Sequence, residues 1–553
     1  MKIALCCINS KYVHSSLAPW YLAAAMEGIE TCELSVVEGT INQSVEEISQ
    51  KILHNSLEVA AFCCYIWNIG MVRQVIRRLK AQRPGLTVVL GGPEVTFRPA
   101  EILSQWPEVS YVLCGEGEES FPALMRALAE KRTPAGIPGL AARDEHGAVS
   151  LMPAQPLRAA PPDPYSQAYM ERLKGRIAYL ETSRGCPFSC SFCLSGVKEK
   201  VRFFEMERAK ENLVRLANSG AKTIKFIDRT FNCHPDRAYE LLSFILDQRG
   251  QTFPEDVCFH FEVGADLFQP RFLALLATAP PGLIQIEAGL QSFCETTLEA
   301  VDRKTDLTVL TENLRQCIRP HNVHVHIDLI AGLPYEDYKT FAASFNSAFA
   351  LRPHMLQLGF LKVLKGSRMH VMAEQYGIVY RRKAPYEVLK TDWMSYADIL
   401  KLKGVEEMVE VYYNSHQFDL SVTYLMHFYQ EPFDFFEDLA EFYEATGFGK
   451  VQHGRMQRYD ILLRFVQQRN LGAESRVYPC QECETAAAVQ AESGAENSKL
   501  NKLAARESEV PEILKFTMLY DLYARENLKS RPEWAQEILY RPFCEDFYRD
   551  ETL

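Results

Sequence analysis

The chain has 553 residues and a formal net charge of −11. A chain of this length is too long to fold around one hydrophobic core, so two to four domains are expected. The acidic balance disfavours a nucleic-acid partner, because phosphate binding needs clustered positive charge. No apolar run approaches the roughly 20 residues that span a bilayer. The first residues lack a signal-peptide pattern, so we expect a cytoplasmic protein whose 16 cysteines stay reduced.

Residues 1–135 alternate between strand-like and helix-like segments. Apolar runs such as Val59–Cys64 and Thr87–Gly91 have strand length, and segments such as Met71–Gln82 have helical spacing. Five repeats of this kind predict a doubly wound parallel sheet of the flavodoxin or Rossmann type. Such sheets bind ligands at the carboxyl ends of their strands.

The next segment, residues 136–171, is rich in Pro, Ala and Gly and is interpreted as a linker with a small hairpin. A second alternating series occupies residues 172–375. Its six strand-like runs begin with Ile177–Glu181 and end with Met355–Lys362, and helical segments fit between them. This series predicts a partial (β/α)6 barrel with its chemistry at the carboxyl ends of the strands.

From residue 376 to residue 553, aromatic and acidic residues recur at helical spacing, which predicts a mainly α domain. Residues 472–510 are polar and compositionally biased, so we expect a mobile insert there. The insert contains Cys480 and Cys483. This pair is open to several interpretations: half of a zinc site, a redox pair, an accessory cluster ligand, or incidental cysteines.

Cys186, Cys190 and Cys193 lie in the short stretch ETSRGCPFSCSFC, directly after the first strand of the second series. Three thiolates can bind three irons of a [4Fe–4S] cluster and leave the fourth iron open, as a catalytic metal requires. A structural zinc ion is the alternative, although the next candidate ligands, Cys233 and His234, come some forty residues later. Burial of three cysteines as hydrophobic side chains fits such a loop poorly.

The CxxxCxxC spacing after a first barrel strand, with Phe192 before the third cysteine, resembles the signature of the radical S-adenosylmethionine (SAM) family. The resemblance implies that SAM binds the open iron, that the reduced cluster cleaves SAM, and that a 5′-deoxyadenosyl radical takes a hydrogen atom from a substrate. It also implies an external one-electron reductant of the flavodoxin or ferredoxin type.

Further positions are similar to SAM-binding elements of that family. Asp228 in FIDRTF stands where the family binds the SAM amino group, and Glu262 in HFEVGADLF ends the third strand. The fourth-strand motif IEAGLQSF supplies Gly289, Gln291 and Ser292. The resemblance implies cofactor contacts for all five, whereas a carboxylate at a strand end can also cap the next helix.

The N-terminal motifs GGPEVT and CGEGEES, one strand apart, resemble the cobalamin-binding domain of cobalamin-dependent radical SAM enzymes. The resemblance implies that Gly91, Gly92, Gly115 and Gly117 line the path of the corrinoid, since glycine lets a backbone approach a large ligand closely. A helical domain of unknown function at the C-terminus is also found in that family.

Other N-terminal side chains have two interpretations each. His14 lies in the loop where some cobalamin domains carry a cobalt ligand, but we interpret it as a loop residue, because the accompanying Asp and Gly are missing. Tyr65 and Trp67 either pack on the corrin or belong to the linker contacts. Glu116 and Glu118 either contact the cofactor or start the following helix.

The combined motifs predict a cobalamin-dependent radical SAM enzyme with a [4Fe–4S] cluster, SAM and cobalamin as cofactors, and no particular catalytic side chain is indicated. Methylation of an unactivated carbon is the expected reaction. The alternatives are a cyclase or ring-rearranging enzyme that uses cobalamin without methyl transfer, and a corrinoid-binding sensor whose cluster is only structural. An RNA-modifying methylthiotransferase fits less well, because the chain is acidic and has no evident basic module.

Overall fold

The structure is a computed structural model that describes residues 1–53, 56–157, 159–196, 200–471, 510–524 and 534. Its described residues fall into two compact units. The first comprises Met1–Ala288, Val301–His324 and Leu361–Leu389. The second comprises Gly289–Ala300, Val325–Phe360 and the described part of residues 390–553.

The chain begins with a sheet in which five parallel strands stand in the order β2-β1-β3-β4-β5. Side chains that alternate along the third strand pack into two hydrophobic cores. Ala60 and Phe62 pack on one face of the sheet, and Val59 and Ala61 pack on the other. Both faces are therefore covered, as a doubly wound sheet requires. The elements are β1 (Lys2–Asn9), α1 (Ala18–Ala25), β2 (Glu33–Thr40), α2 (Val45–Leu53), β3 (Val59–Cys63), α3 (Ile69–Gln82), β4 (Thr87–Gly91), α4 (Pro93–Thr96), α5 (Pro99–Gln105), β5 (Tyr111–Leu113) and α6 (Gly117–Ala129).

The segment interpreted as a linker contributes two strands to this sheet. Strands β6 (Leu140–Arg143) and β7 (Val149–Leu151) form the expected hairpin, and β6 also pairs antiparallel with β5. The guanidinium of Arg143 donates hydrogen bonds to the carbonyl oxygens of Leu103, Trp106 and Val109. These bonds fix the hairpin to α5 and to the loop that precedes β5, and β7 is the edge strand of the sheet.

The second alternating series has the six predicted strands, each in a β/α repeat. Strands β8, β11, β12 and β13 are parallel neighbours in that order, and β14 pairs in parallel with β15. A short antiparallel pair, β9 with β10, was not predicted. The elements are α7 (Gln167–Met170), β8 (Ile177–Leu180), β9 (Ser183–Arg184), β10 (Arg202–Phe203), α8 (Met206–Ala217), β11 (Thr223–Phe226), α9 (Pro235–Gln248), β12 (Cys258–Val263), α10 (Pro270–Leu276), β13 (Ile284–Gln291), α11 (Glu295–Ala300), α12 (Leu307–Ile318), β14 (His324–Ala331), α13 (Tyr338–Phe349) and β15 (Met355–Phe360).

The segment after β15 returns to the N-terminal sheet before the C-terminal helices begin. Tyr386 is buried and its hydroxyl donates to the carboxylate of Glu94, which also accepts from Arg98 Nη2 at 2.5 Å. Gly366 lies so close to Phe97 that a Cβ atom would meet the ring at 2.2 Å. The first compact unit therefore includes part of the chain that follows the barrel series.

The remaining described chain is mainly helical, as predicted. A two-stranded pair, β16 with β17, lies between the short helix α14 and the longer helices that follow. This pair is an exception to the expected helical structure. Asp521 is buried and accepts from the backbone N–H groups of Leu420 and Ser421, both at 2.9 Å, so that it caps α16 from outside. The elements are α14 (Arg368–Met372), β16 (Val379–Tyr380), β17 (Val388–Lys390), α15 (Tyr396–Tyr412), α16 (Asp419–Met426), α17 (Pro432–Thr446), α18 (Arg455–Arg469) and α19 (Val510–Tyr523).

The α/β fold class predicted from the sequence is confirmed, with a doubly wound N-terminal sheet, six β/α repeats and a mainly helical C-terminal region. Within the described ranges, no helix has both the length and the apolar character needed to cross a membrane. The predicted mobile insert at 472–510, including Cys480 and Cys483, lies outside the described residues except for Val510.

Candidate cofactor-binding site

A cavity of about 720 Å³ lies at the carboxyl ends of β1, β3, β4 and β5 and reaches the carboxyl ends of β8 and β11. Its volume is within the range of roughly 300–1,000 Å³ that is common for ligand sites. All four glycines predicted for the corrinoid, Gly91, Gly92, Gly115 and Gly117, are on its wall. An added Cβ at Gly92 would come within 2.6 Å of the backbone carbonyl oxygen of Cys64, so this wall requires glycine where it is tightest.

Aromatic side chains and His14 line the same cavity. The rings of Tyr65 and Trp67 stack with their centroids 4.4 Å apart and their planes 4° from parallel. His14 Nδ1 is 2.8 Å from the hydroxyl oxygen of Tyr179 on β8, so one ring nitrogen already has a hydrogen-bond partner. This contact is consistent with the interpretation of His14 as a loop residue, and its relation to cobalt stays a prediction.

The three predicted cluster cysteines lie between β9 and β10, and their donor set fits a [4Fe–4S] cluster. Cys190 is buried, Cys186 and Cys193 are half-buried, and all three are free thiols. Burial raises the pKa of Cys190, and the nearby Arg303, whose Nη1 is 3.7 Å from the sulfur, acts in the opposite direction and favours the thiolate. No three Cys, His, Asp or Glu side chains in the described ranges form a ready mononuclear metal site. A cluster does not need one, because each thiolate binds a different iron.

Phe192 is half-buried within this cysteine segment. The segment is fixed at two points by backbone hydrogen bonds: Ser191 N donates to Val301 O at 2.8 Å, and Met369 N donates to Ser191 O at 2.8 Å. Ser189 Oγ donates to Asp302 at 2.8 Å. The loop is therefore anchored from the segment after α11 and from α14.

Asp228 follows β11 but its carboxylate is turned into the protein. Its side chain is 1% exposed and accepts hydrogen bonds from Thr182 N, Thr182 Oγ1 and Ser183 Oγ. Burial raises the pKa of Asp228 to about 6, although these hydrogen bonds act to lower it. The geometry favours a role in holding the turn between β8 and β9, which leads to Cys186, and the predicted SAM contact stays a prediction.

We expect Asp228→Ala to destabilise the protein by about 2 kcal/mol, because two hydroxyls and one N–H would lose a buried acceptor. Asp228→Asn keeps one oxygen and should have the smaller effect. Thermal unfolding of both variants checks this order. If Asn instead lowers the affinity for SAM while the unfolding temperature stays at the wild-type value, Asp228 is a cofactor contact after all.

Glu262 lies in a polar group of side chains that alternate with buried ones along β11, β12 and β13. Lys225 Nζ is 3.6 Å from Glu262 and 3.0 Å from Glu287, and His260 Nε2 is 2.9 Å from Glu287. All four side chains are partly exposed. The interior of a closed barrel is usually filled by layers of apolar side chains. These three strands instead carry charged side chains, which form a polar surface on which a ligand can bind.

In the second compact unit, Gly289 and Gln291 belong to the end of β13, and Ser292 follows it. Gln291 has a φ of +76° and its amide oxygen is buried without a hydrogen-bond partner among the described residues. A strained residue with an unpaired acceptor fits a ligand that brings a donor. Ser292, in contrast, is fully buried and donates to Glu336 at 2.6 Å. Gln291 is thus the better candidate for a cofactor contact at this strand end.

Glu336 is a buried carboxyl that the sequence did not single out. Its Oε1 accepts from Ser292 and from Ser344 Oγ, the latter at 3.0 Å. Burial raises the pKa of Glu336 to about 7, and the two hydroxyls only partly offset this. Because the folded-state pKa is above the usual 4.5, the stability that the protonated group provides is complete below pH 4.5 and is lost as the pH rises through 7.

The variant Glu336→Gln should therefore gain stability over wild type by about 2 kcal/mol as the pH is raised from about 5 to 8. Thermal unfolding midpoints across this range measure the difference. Glu130→Gln, which removes an exposed carboxylate paired with Arg132, should show no such trend. Parallel pH profiles for Glu336→Gln and wild type would contradict the assignment.

Sequence reasoning missed the side chains that tie the cysteine segment to the N-terminal sheet. Arg184, two residues before Cys186, contacts Glu116 and Glu118, and Arg202 also contacts Glu116. The charge of Arg184 within SRGC was visible in the sequence. Its partners lie more than sixty positions upstream, so no local pattern could pair them.

Three known families match separate parts of the chain. Residues 3–125 match the family described as B12 binding domain. Residues 180–348 match the radical SAM superfamily, and residues 374–552 match a protein family of unknown function, DUF4080. The first two families coincide with the cavity-forming sheet and with the strands around the cysteine segment.

Among curated proteins, the chain is 30% identical over 313 residues to the 2-(S-pantetheinyl)-carbapenam-3-carboxylate methyltransferase of Streptantibioticus cattleyicolor, covering 54% of this chain and 45% of that protein. It is 29% identical over 353 residues to the cobalamin-dependent radical SAM methyltransferase TokK of Streptomyces tokunonensis, covering 60% of this chain and 51% of that protein. The chain thus spans about half the length of these relatives.

Among solved structures, the cobalamin-dependent SAM radical enzyme OxsB, with aqua-cobalamin and SAM bound, aligns with a TM-score of 0.62 at 12% identity, over 99% of this chain and 84% of that one. At that identity the match concerns the fold, and the fold extends over all three regions. One chain therefore combines a region that matches the B12 binding domain, a region that matches the radical SAM superfamily and a region that matches DUF4080, in a fold similar to that of OxsB.

Proposed function

We propose that the protein is a cobalamin-dependent radical SAM enzyme that cleaves SAM reductively and methylates an unactivated carbon. The proposal is supported by the residues that line the cavity. The four glycines of the N-terminal sheet share one cavity with Arg184, two residues before the first cysteine of the CxxxCxxC segment. A corrinoid site next to a cluster site is the arrangement that a joint reaction of the two cofactors needs.

The residues proposed for each cofactor follow from the sites above. Cys186, Cys190 and Cys193 would hold a [4Fe–4S] cluster. Gln291 and Glu262, with Phe192, Gly289, Ser292 and Asp228 as weaker candidates, would contact SAM, and Gly91, Gly92, Gly115 and Gly117 would line the cobalamin site. When bound, the cluster supplies the electron that cleaves SAM, and the cobalamin supplies the methyl group. The protein's own part is to bind, orient and shield them.

Methyl transfer is favoured over the cyclase alternative because both curated relatives named above are methyltransferases. An external one-electron reductant of the flavodoxin or ferredoxin type follows from radical SAM chemistry, and the cytoplasm, where such reductants occur, is the proposed location. We also propose the domain limits 1–135, 172–375 and 376–553, joined by the segment 136–171.

Anoxic reconstitution with iron, sulfide and hydroxocobalamin tests the proposal. The visible spectrum should report a bound corrinoid, and SAM with dithionite should yield 5′-deoxyadenosine, while samples without reductant should yield none. Protein that carries a full cluster and a corrinoid but forms no 5′-deoxyadenosine would be a sensor and not an enzyme. Transfer of label from methyl-labelled SAM to a component of a cell extract would separate methyl transfer from the cyclase alternative.

A further inference from the structure

The cysteine segment is a loop with a short two-stranded stem. Strand β9 enters it and strand β10 leaves it, and Arg184 on β9 stands directly opposite Arg202 on β10. Both arginines therefore belong to the same rung of the stem. A group that binds both at once fixes the base of the loop, whatever the loop itself holds.

Glu116, from the N-terminal sheet, is that group. Its Oε1 accepts from Arg184 Nη1 at 3.0 Å and from Arg202 Nη2 at 2.5 Å. Its Oε2 accepts from Arg202 Nη1 at 3.1 Å and from the backbone N–H of Leu157 at 2.6 Å. One carboxylate thus joins β9, β10 and the chain that follows the β6–β7 hairpin.

Two other carboxylates complete the environment of Arg184. Its Nη2 is 2.6 Å from Glu118, and its Nε and Nη2 contact Glu181 at 3.0 Å. Its guanidinium also lies over the ring of Tyr21, 5.0 Å from the centroid. The ion pairs are mostly shielded from water, since the side chain of Arg184 is only 14% exposed. Shielded pairs of this kind are screened less and are best attested as devices that fix a register.

The charge state of Glu116 agrees with this geometry. Burial raises the pKa of Glu116, but the hydrogen bonds from Arg202, Leu157 and Arg184 outweigh that effect and hold it below its usual range. The pairs are therefore ionised at neutral pH, so their strength depends on both partners being present.

We propose that Glu116 is a positioning residue that fixes the stem of the cluster loop to the cobalamin-binding sheet and thereby sets the separation of the two cofactors. The role in cofactor spacing rests on the proposed function, whereas the mechanical link between Glu116 and the stem does not. Glu116, next to the cavity glycines Gly115 and Gly117, is then the residue through which the corrinoid domain holds both strands of the stem. Loss of this link should leave the cysteines intact and loosen only their position.

Amide hydrogen exchange in the cofactor-free full-length protein tests the link. Glu116→Gln keeps the size of the side chain but leaves one acceptor oxygen and no negative charge, so the bonds to Arg184, Arg202 and Leu157 are all lost or weakened. Exchange at Leu157 and at the stem residues Ser183, Arg184, Arg202 and Phe203 should accelerate at least about fivefold. Glu130→Gln should leave these rates at the wild-type value. Rates in Glu116→Gln within twofold of wild type would overturn the proposal.

Glu118→Gln provides a second, sharper comparison. It removes a carboxylate from Arg184 but leaves Glu116 with Arg202 and Leu157. The stem should therefore exchange faster on the β9 side alone, and Leu157 should not change. An equal effect of Glu116→Gln and Glu118→Gln at Leu157 and at both stem strands would contradict a special place for Glu116.

In the loaded protein, the dipolar coupling between the cobalt(II) form of the corrinoid and the reduced cluster measures their separation directly. Wild type should show a narrow distribution of coupling and Glu116→Gln a broader one, at equal iron and cobalt content. Equal distributions at equal loading would overturn the spacing role. Wild-type protein that takes up neither cofactor would contradict the proposed function, and the exchange experiment would still decide whether Glu116 holds the stem.

Discussion

Replacement of Cys190 by serine is expected to eliminate the iron–sulfur cluster and to reduce 5′-deoxyadenosine formation to the level seen without protein. Cys190 is the most deeply buried of the three loop cysteines, at 6% exposure, and is the one that Arg303 approaches. Serine is nearly isosteric, so the loop should fold, but its hydroxyl is a poor ligand for iron at neutral pH. Two remaining thiolates cannot hold the cluster that three hold.

Iron analysis and the visible absorption of the anoxically reconstituted variant measure this loss, together with the 5′-deoxyadenosine assay. Cys32→Ser is the matched control, because Cys32 is a half-buried free cysteine of the N-terminal sheet domain outside the cavity wall. It should retain the wild-type iron content. A Cys190→Ser protein that keeps both the cluster absorption and the activity would remove the basis of the catalytic proposal.

The second large effect is expected at Gly92. This residue has a φ of +106°, in a region that is essentially restricted to glycine. A Cβ atom would lie 2.6 Å from the carbonyl oxygen of Cys64 and 3.0 Å from its nitrogen, so the clash is with backbone that cannot rotate away. Gly92→Ala should cost about 3 kcal/mol of stability and prevent binding of cobalamin at the cavity.

Thermal unfolding and titration with hydroxocobalamin check the two parts of this prediction separately. Gly70→Ala is the control: Gly70 is in helix α3, and an added Cβ there meets no atom within 4 Å. It should bind cobalamin as wild type does and be stabilised by up to about 1 kcal/mol. Unchanged stability and corrinoid affinity in Gly92→Ala would show that the turn after β4 can rearrange.

The strands could be predicted from the sequence because buried parallel strands are short, uniformly apolar runs. Thr87–Gly91 coincides with the predicted limits, and the predicted runs Val59–Cys64 and Ile177–Glu181 are each one residue longer than the strands observed. The linker was harder, because Leu140–Arg143 is no more apolar than an ordinary loop segment. Its role as a strand comes from pairing with β5, and pairing between distant segments has no local signature.

The sequence indicates candidate ligands for the site but does not indicate the side chains that support them. Three cysteines and four glycines can be recognised because their chemistry restricts their spacing and residue type. Arg184 and Arg202 carry ordinary surface charges in the sequence, and Glu116 is singled out there only as a cofactor contact or a helix start, so only the fold brings the three together. Asp228 and Ser292 show the converse. Both occupy motif positions that imply a cofactor contact, but Asp228 accepts a hydrogen bond from Thr182 and Ser292 donates one to Glu336.

The docking of Tyr386 on Glu94 and Arg98 has a practical consequence for dissecting the protein. A shortened chain that stops near residue 375, where the helical texture begins, would lose this aromatic clamp and expose the carboxylate that the phenol covers. Its instability would then be mistaken for a requirement for the C-terminal helices. A cut placed after Lys390 keeps the clamp, so that what the helices themselves contribute can be measured.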